Sequence, residues 1–319
     1  MQGPILAAML TLAVGSQTDT TFNVSPGATL ELENYAGSIE VTTWTRNAIR
    51  VEASHGRRAS VEISREEGVV QLSVESRFGT PTAADFKLTV PATMALKLSG
   101  VYCDIQVTNT RGAVELQTVQ GDVEVTGGDG HISAQSVQGT VRVDGASGQI
   151  EVSSVNEGVQ VLNARGELTV ESVNGTIKVS NARVSTLEAS SVNGTILFDG
   201  EYAKGGRYEM STHNGGIYVA VPATANLTIE AATYAGSFDS TFPVPRETEE
   251  RRRKRHLIKL GDGSAEMSLE SFQGVIQLHR PGEKGYTPEP DEDVYRDSDK
   301  SKSKSKSKSG GSDSDRDEE

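Results

Sequence analysis

The stretch ESVNGTIKV, residues 171–179, has near copies in QSVQGTVRV at 135–143 and SSVNGTILF at 190–198. Set in rows of eighteen, the chain falls into columns: Gln120, Gln138, Asn156 and Asn174 lie eighteen apart, and Asn193 and Asn214 continue the series after small insertions. A valine precedes most of these amides (Val119, Val137, Val155, Val173, Val192), with His213 in the last slot. A glycine follows at Gly121, Gly139, Gly175, Gly194 and Gly215, and Glu157 is the departure. Two apolar columns come next, one through Val123, Val141, Val159 and Ile177, the other through Val125, Val143, Val161 and Val179.

The other half of each row alternates in the same way. Its columns run Val114, Ile132, Ile150, Leu168 and Leu116, Ala134, Val152, Val170, and a one-residue insertion near Val184 shifts them to Leu187 and Ala189. Alternation with a period of two, bounded by Gly, Asn or Ser, is the pattern of a strand with one buried face. Each row is therefore two strands and two turns. One turn column exchanges Gly and Asn (Asn109, Gly127, Gly145, Asn163, Asn181), the two residues that tolerate a left-handed backbone, and this predicts a positive φ in every row.

A single row buries too little to stand alone, so rows must stack on one another. The predicted fold is all-β: a single-stranded parallel β-helix, or β-solenoid, with about eighteen residues per coil, most regular over 101–200. Stacked coils bring like side chains into line, so the amides are expected to form a hydrogen-bonded ladder along the axis. Strand patterns at 49–53, 61–64 and 69–74 and a last row at 268–278 extend the domain over 18–281.

Composition agrees with this picture and narrows the function. Aromatics make up 5% of the 319 residues, and the 33 glycines suit a chain of strands and turns. A net charge of -13 excludes nucleic acid as a partner of the whole molecule, because phosphate binding requires a basic face. The apolar run Ile5–Val14, followed by Gly15 and Ser16, has the length of a signal-peptide core, which assigns residues 1–17 to an export signal. MQGP, ahead of it, has no Lys or Arg, and a buried first strand is the alternative. No other segment has the length and apolarity of a transmembrane span. Residues 282–319 carry alternating Lys-Ser between acidic blocks, the composition of a disordered tail.

Chemistry-bearing patterns are sparse. Outward columns run Gln106, Glu124, Arg142, Gln160, Lys178, Leu197 and Glu115, Ser133, Glu151, Thr169, Glu188; neither offers a sugar-stacking aromatic platform or carboxyls paired at catalytic spacing. Glu151, Glu167 and Glu171 are the nearest approach to a calcium site, but a flat sheet diverges its ligands. His131 and His213 are several rows apart, and His213 is expected half-buried at a corner. Cys103, the single cysteine, reads as a buried structural thiol. RRRKRH at 251–256 reads as an exposed loop tip, with a polyanion-binding patch as the functional alternative. No catalytic, cofactor-binding or metal residue is assigned.

The opening FNVSPGATLELENYAGSIEVTTWTRNAIRVEA, the central VPATMALKLSGVYCDIQV, the SVNGTI rows and the closing LGDGSAEMSLESFQGVIQL together resemble the bacterial putative-adhesin family of β-strand repeat proteins, over residues 22–281. The resemblance implies an exported, envelope-associated solenoid. It brings no catalytic residues, and with strand-twist chirality it implies right-handed coiling. The expected function is a non-catalytic surface or envelope module that meets an envelope polysaccharide or a surface protein. A carbohydrate-active β-helix enzyme is the alternative, and a self-assembling envelope scaffold the second.

Overall fold

The computed structural model describes residues 17–66, 68–76, 79–243, 248–250 and 253–283. The expected export signal at 1–17, apart from Gln17, and the expected tail at 282–319, apart from residues 282 and 283, lie outside the described residues. Within them the protein is all-β, and no helix is long and apolar enough to cross a membrane.

Successive rows hydrogen-bond as parallel strands. Val114–Gln120 pairs with Asp129–Gln138, that strand with Ser147–Ser154, and that one with Arg165–Ser172, placing Val114, Ile132, Ile150 and Leu168 in one line. The second half of each row stacks likewise through Val123, Val141, Val159, Ile177, Ile196 and Ile217. The insertion expected near Val184 is a bulge: Gly166 faces Val184 while Glu167 faces Thr186, leaving Ser185 over. Both series bury their aliphatic columns in one core, and Val125, Val143, Val161 and Val179 are at most 1% exposed.

The Gly/Asn turn column has the predicted backbone. Asn109, Gly127, Gly145, Asn163 and Asn181 have φ between 53° and 73°. Only a residue with no Cβ, or with a short side chain that bonds locally, holds this conformation at low cost. The asparagines also link the rows: Asn163 Nδ2 donates to Asp144 Oδ1 at 2.7 Å and Asn181 Nδ2 to Asn163 Oδ1 at 2.6 Å. This second ladder was not foreseen from the sequence.

Both ends depart from chain order. Thr29–Trp44 lies directly on Ala95–Thr108, with Leu30 opposite Leu96 and Ile39 opposite Ile105. Its other side meets Val69–Ser76 and Ala83–Pro91 in parallel. Antiparallel strands then close this end: Ala48–His55 on Ala83–Pro91, Gln17–Asn23 on Ala48–His55, and Ala59–Glu66 on Val69–Ser76.

At the opposite end the row at 265–279 is last in sequence but not in space, which corrects the expectation of a terminal row. Ala265–Ser271 is inserted between Arg207–Thr212 and Leu227–Thr233, and Val275–His279 between Ile217–Ala220 and Ser237–Ser240. The alternation and corner spacing of each row fit either order, so periodicity specifies which residues stack and leaves the neighbour open. Arg253–Leu260 then covers Leu227–Thr233 antiparallel and pairs with Thr248–Glu250. The basic run is accordingly strand from Arg253 onward rather than loop, and residues 251 and 252 lie outside the described residues.

Candidate functional site

Each SVNG corner is built from four residues with separate duties. The serine or threonine points inward: Ser136, Ser154, Ser172, Ser191, Thr212 and Ser271 are all buried. Their hydroxyls bind both the row beneath and their own turn. Ser154 Oγ donates to Gly139 O at 3.0 Å and Thr212 Oγ1 to Gly194 O at 3.1 Å, while Ser172 Oγ accepts from Gly175 N–H at 3.0 Å. The glycine is fixed by contact. A Cβ on Gly175, Gly194 or Gly215 would collide with the carbonyl oxygen of the residue stacked beneath it, Glu157, Gly175 or Gly194.

The amide column forms the expected ladder. Asn174 Nδ2 donates to Asn156 Oδ1 at 3.1 Å, Asn193 to Asn174 at 2.9 Å and Asn214 to Asn193 at 2.7 Å, and Gln120 bonds Gln138. These amides stand on the surface, not inside the turn. The backbone continues the register through the corner, with Asn174 N–H donating to Val155 O and Asn193 N–H to Val173 O.

With serine turned in and the amide engaged along the axis, the remaining residue faces water. Val119, Val137, Val155, Val173 and Val192 are between 37% and 46% exposed. The register extends this column at both ends. Tyr35 and Val101 precede it, since Asn34 faces Gly100 and Ala36 faces Tyr102. His213, Phe272 and Tyr234 follow, since Thr212 and Thr233 both face Ser271. The result is one continuous ridge of ten residues. Among the described residues, every exposed large hydrophobic belongs to it except Tyr102, in the adjoining amide column, and Leu257. Isolated exposed apolar residues need no explanation, whereas a contiguous row does.

Aromatic rings concentrate at the two ends of the ridge. Tyr35 and Tyr102 meet edge to face at 5.6 Å. His213 lies flat on Phe272 at 4.7 Å, and Tyr234 tilts against the same ring at 5.3 Å. Two expectations are corrected here. His213 is exposed rather than half-buried, because its slot is the outward one. The surface does carry aromatic platforms, at a corner rather than on the flat faces. The signal was present as parity: Leu168, Val170 and Ser172 share the inward phase, and Val173 is out of phase with them.

The other candidates assemble into less. The outward column through Gln106, Glu124, Arg142, Gln160 and Lys178 is in register and charge-mixed, with Arg142 between Glu124 at 3.8 Å and Gln160 at 3.1 Å. Glu115, Ser133, Glu151, Thr169 and Glu188 also align. No group of three or more His, Cys, Asp or Glu among the described residues could hold a metal ion. Cys103 is 1% exposed, and burial, helped by the Asp104 and Asp85 charges and opposed by the Asn34 amide at 3.4 Å, pushes its thiol up to about 11. That thiol is a packed side chain, not a nucleophile. A shallow cleft of about 280 Å³ lies over Tyr208 and Leu257. Two of its carboxylates are taken by arginines, Glu209 by Arg207 at 3.8 Å and Glu230 by Arg255 at 3.1 Å.

The model of a family described as Toastrack DUF4097 matches residues 27–279, and the chain belongs to that family. No curated protein matches the chain. Among solved structures it is similar to a "putative lipid binding protein" from Parabacteroides distasonis, at 11% identity and a TM-score of 0.39 over 83% of this chain and 98% of that one. It is also similar to a "putative cell adhesion protein" from Clostridium sporogenes, at 11% identity and a TM-score of 0.28 over 83% of this chain and 99% of that one.

Proposed function

We propose that this Toastrack DUF4097 chain is an exported, non-catalytic module of the cell envelope that binds an envelope polysaccharide or a surface protein along its corner ridge. In this reading the stacked rows are coils of a right-handed, single-stranded parallel β-helix, about eighteen residues each. The ridge is the observation that carries the proposal. A fold that buries its other aliphatic columns leaves this one exposed over six consecutive rungs, flanked by Tyr35 at one end and His213, Phe272 and Tyr234 at the other, and such rows on proteins are contact surfaces.

Catalysis asks for a place where the repeat is broken by convergent groups. The breaks at Glu157, Ser185 and His213 are scattered over separate rungs, and the carboxylates Glu209 and Glu230 in the cleft are paired with arginines. A self-assembling scaffold would use an open end as a strand template. Here antiparallel strands cover both halves of one end and the Leu227–Thr233 half of the other, so among the described residues only the four-residue Ser237–Ser240, paired on one side by Val275–His279, leaves a parallel edge, too short a template for stacking a second copy.

The test assays the mature protein against peptidoglycan, envelope polysaccharides and outer-surface protein fractions for both binding and cleavage. The expected result is saturable binding without turnover. It should fall at least tenfold when Val137, Val155, Val173 and Val192 are all changed to Thr, with the melting temperature held. Turnover abolished by changing one Glu or Asp, or binding untouched by the fourfold change, would overturn the proposal.

A further inference from the structure

We infer that the partner of the ridge is a neutral, unbranched, β-linked glycan chain lying along the solenoid axis. This rests on the reading of the ridge as a binding face and adds its chemistry. Three features of the surface lead to it: its period, its spare hydrogen-bonding capacity and its charge.

Five successive rungs, from Val119 with Gln120 to Val192 with Asn193, offer the same pair side by side, a branched apolar side chain and a primary amide, repeating at the strand spacing of about 4.8 Å, and Asn214 and Gln273 continue the amides beside His213 and Phe272. Ten rungs make a track about 43 Å long at that spacing. An extended β-linked hexose chain advances by about one rung per sugar, so each ring can set its C–H face on a valine while its equatorial hydroxyls reach the neighbouring amide. A globular partner has no such period, and a lipid surface has no use for a row of amides.

The amides are left able to bind. A side-chain amide has two N–H donors and two acceptor lone pairs. Asn174 donates one N–H to Asn156 and accepts one from Asn193, and Asn193 does the same between Asn174 and Asn214. Each interior amide therefore keeps one donor and one acceptor for solvent, held in a fixed direction by the ladder. That is the complement of a hydroxyl, itself donor and acceptor, and its preorganisation lowers the entropy cost of binding. The aromatic pairs at the ends, Tyr35 with Tyr102 and His213 with Phe272, supply broader faces on which terminal sugars can stack.

Charge selects among partners. The ridge, the amide column, the inward Ser/Thr column and the two columns outside them contain no Lys or Arg, but they do contain Glu33, Glu157, Glu171 and Glu270. An anionic polymer or an anionic membrane would be repelled. A second copy would bring the same carboxylates of a chain of net charge -13 together. The four glutamates sit at irregular rungs, so they form no periodic row for a polycation. The surface that does recur, the valine–amide pairs from Val119 to Asn193, is uncharged.

The experiment titrates the full mature chain with β-1,4-linked N-acetylglucosamine and glucose oligomers of increasing length, by calorimetry and by chemical-shift mapping. Affinity should grow with each added sugar at least up to about the five valine–amide rungs. It should hold within twofold between low and high salt, and fall at least tenfold in the fourfold Val→Thr variant, whereas Arg142→Glu on the flat face leaves it unchanged. Ridge-dependent binding of envelope fractions with no binding of any neutral oligomer would overturn the glycan inference and leave the ridge as the binding face. So would ridge-dependent binding to phosphatidylcholine vesicles, or a concentration-dependent dimer abolished by the Val→Thr changes, when no oligomer binds. Loss of all ridge-dependent binding would remove both readings. Affinity that stops rising after one or two sugars would contradict the track.

Discussion

Replacing Gly194 with alanine should destabilise the domain by about 3 kcal/mol, at the upper end of what overpacking costs. The reason is the pitch of the stack. The added methyl would run into the carbonyl oxygen of Gly175 and lie 2.6 Å from Ser191 Oγ, which itself holds the Gly194 N–H. Neither backbone can retreat, because each is hydrogen-bonded to the rungs on both sides. At Gly158 the same methyl would stand 3.0 Å from Thr176 O, a contact that a small shift relieves, and alanine there should cost less than about 1 kcal/mol. In thermal melts, where about 1 kcal/mol moves a domain of this size by roughly 2–4 °C, Gly194→Ala should fall roughly 6–12 °C and Gly158→Ala no more than a few. Equal shifts for the two variants would show that the corner glycine is not set by the stacking distance.

A loss of similar or larger size is expected at Phe198. This ring occupies the column of Val161 and Val179 and is 2% exposed, interrupting the valine stack before Val219. It packs against Tyr202 at 5.8 Å and Tyr208 at 6.0 Å, and those two rings meet each other at 5.2 Å. The cluster is anchored by Tyr208, whose hydroxyl donates to Val184 O and accepts from Ala203 N–H, and burial holds both tyrosine phenols above their usual range. Phe198→Ala opens a cavity that these tethered rings cannot fill, and about 3–5 kcal/mol should be lost. Leu197→Ala, one residue away on the outward face, should be nearly silent in urea melts. Matching midpoints for the two would mean that the 198–208 cluster is not the packed core described above.

The repeating part of the fold was legible because parallel stacking writes one constraint into every row. Val143 has to be apolar for the same reason as Val125 and Val161, and Asn163 has to tolerate positive φ for the same reason as Gly145. Where stacking changes neighbour or direction, the constraint no longer repeats. Nothing in the alternation of Ala265–Ser271 says that it pairs with Arg207–Thr212 as well as with Leu227–Thr233, and the antiparallel caps carry the same period of two as the coils. The candidate site was written in the sequence but was read as structure. Val173 recurs as regularly as its inward neighbours, and recurrence alone does not tell a packing column from a contact column. Parity does, since Ser172 holds the inward phase. The aromatic ends were harder to find, because Tyr35, His213, Phe272 and Tyr234 replace valine in rows whose spacing has already drifted from eighteen.

The most direct measurement of the central claim, that this molecule acts through its corner ridge, is hydroxyl-radical footprinting of the protein with and without a saturating envelope fraction. Aromatic side chains report strongly in such an experiment, and the ridge carries them at both ends while its valines fill the middle. Protection should run along Tyr35, Tyr102, the six valines from Val101 to Val192, His213, Phe272 and Tyr234, with the flat face around Leu197 and the cleft around Leu257 unchanged. Protection centred on Leu257 or on the Leu197 face, with the ridge still fully reactive, would contradict it.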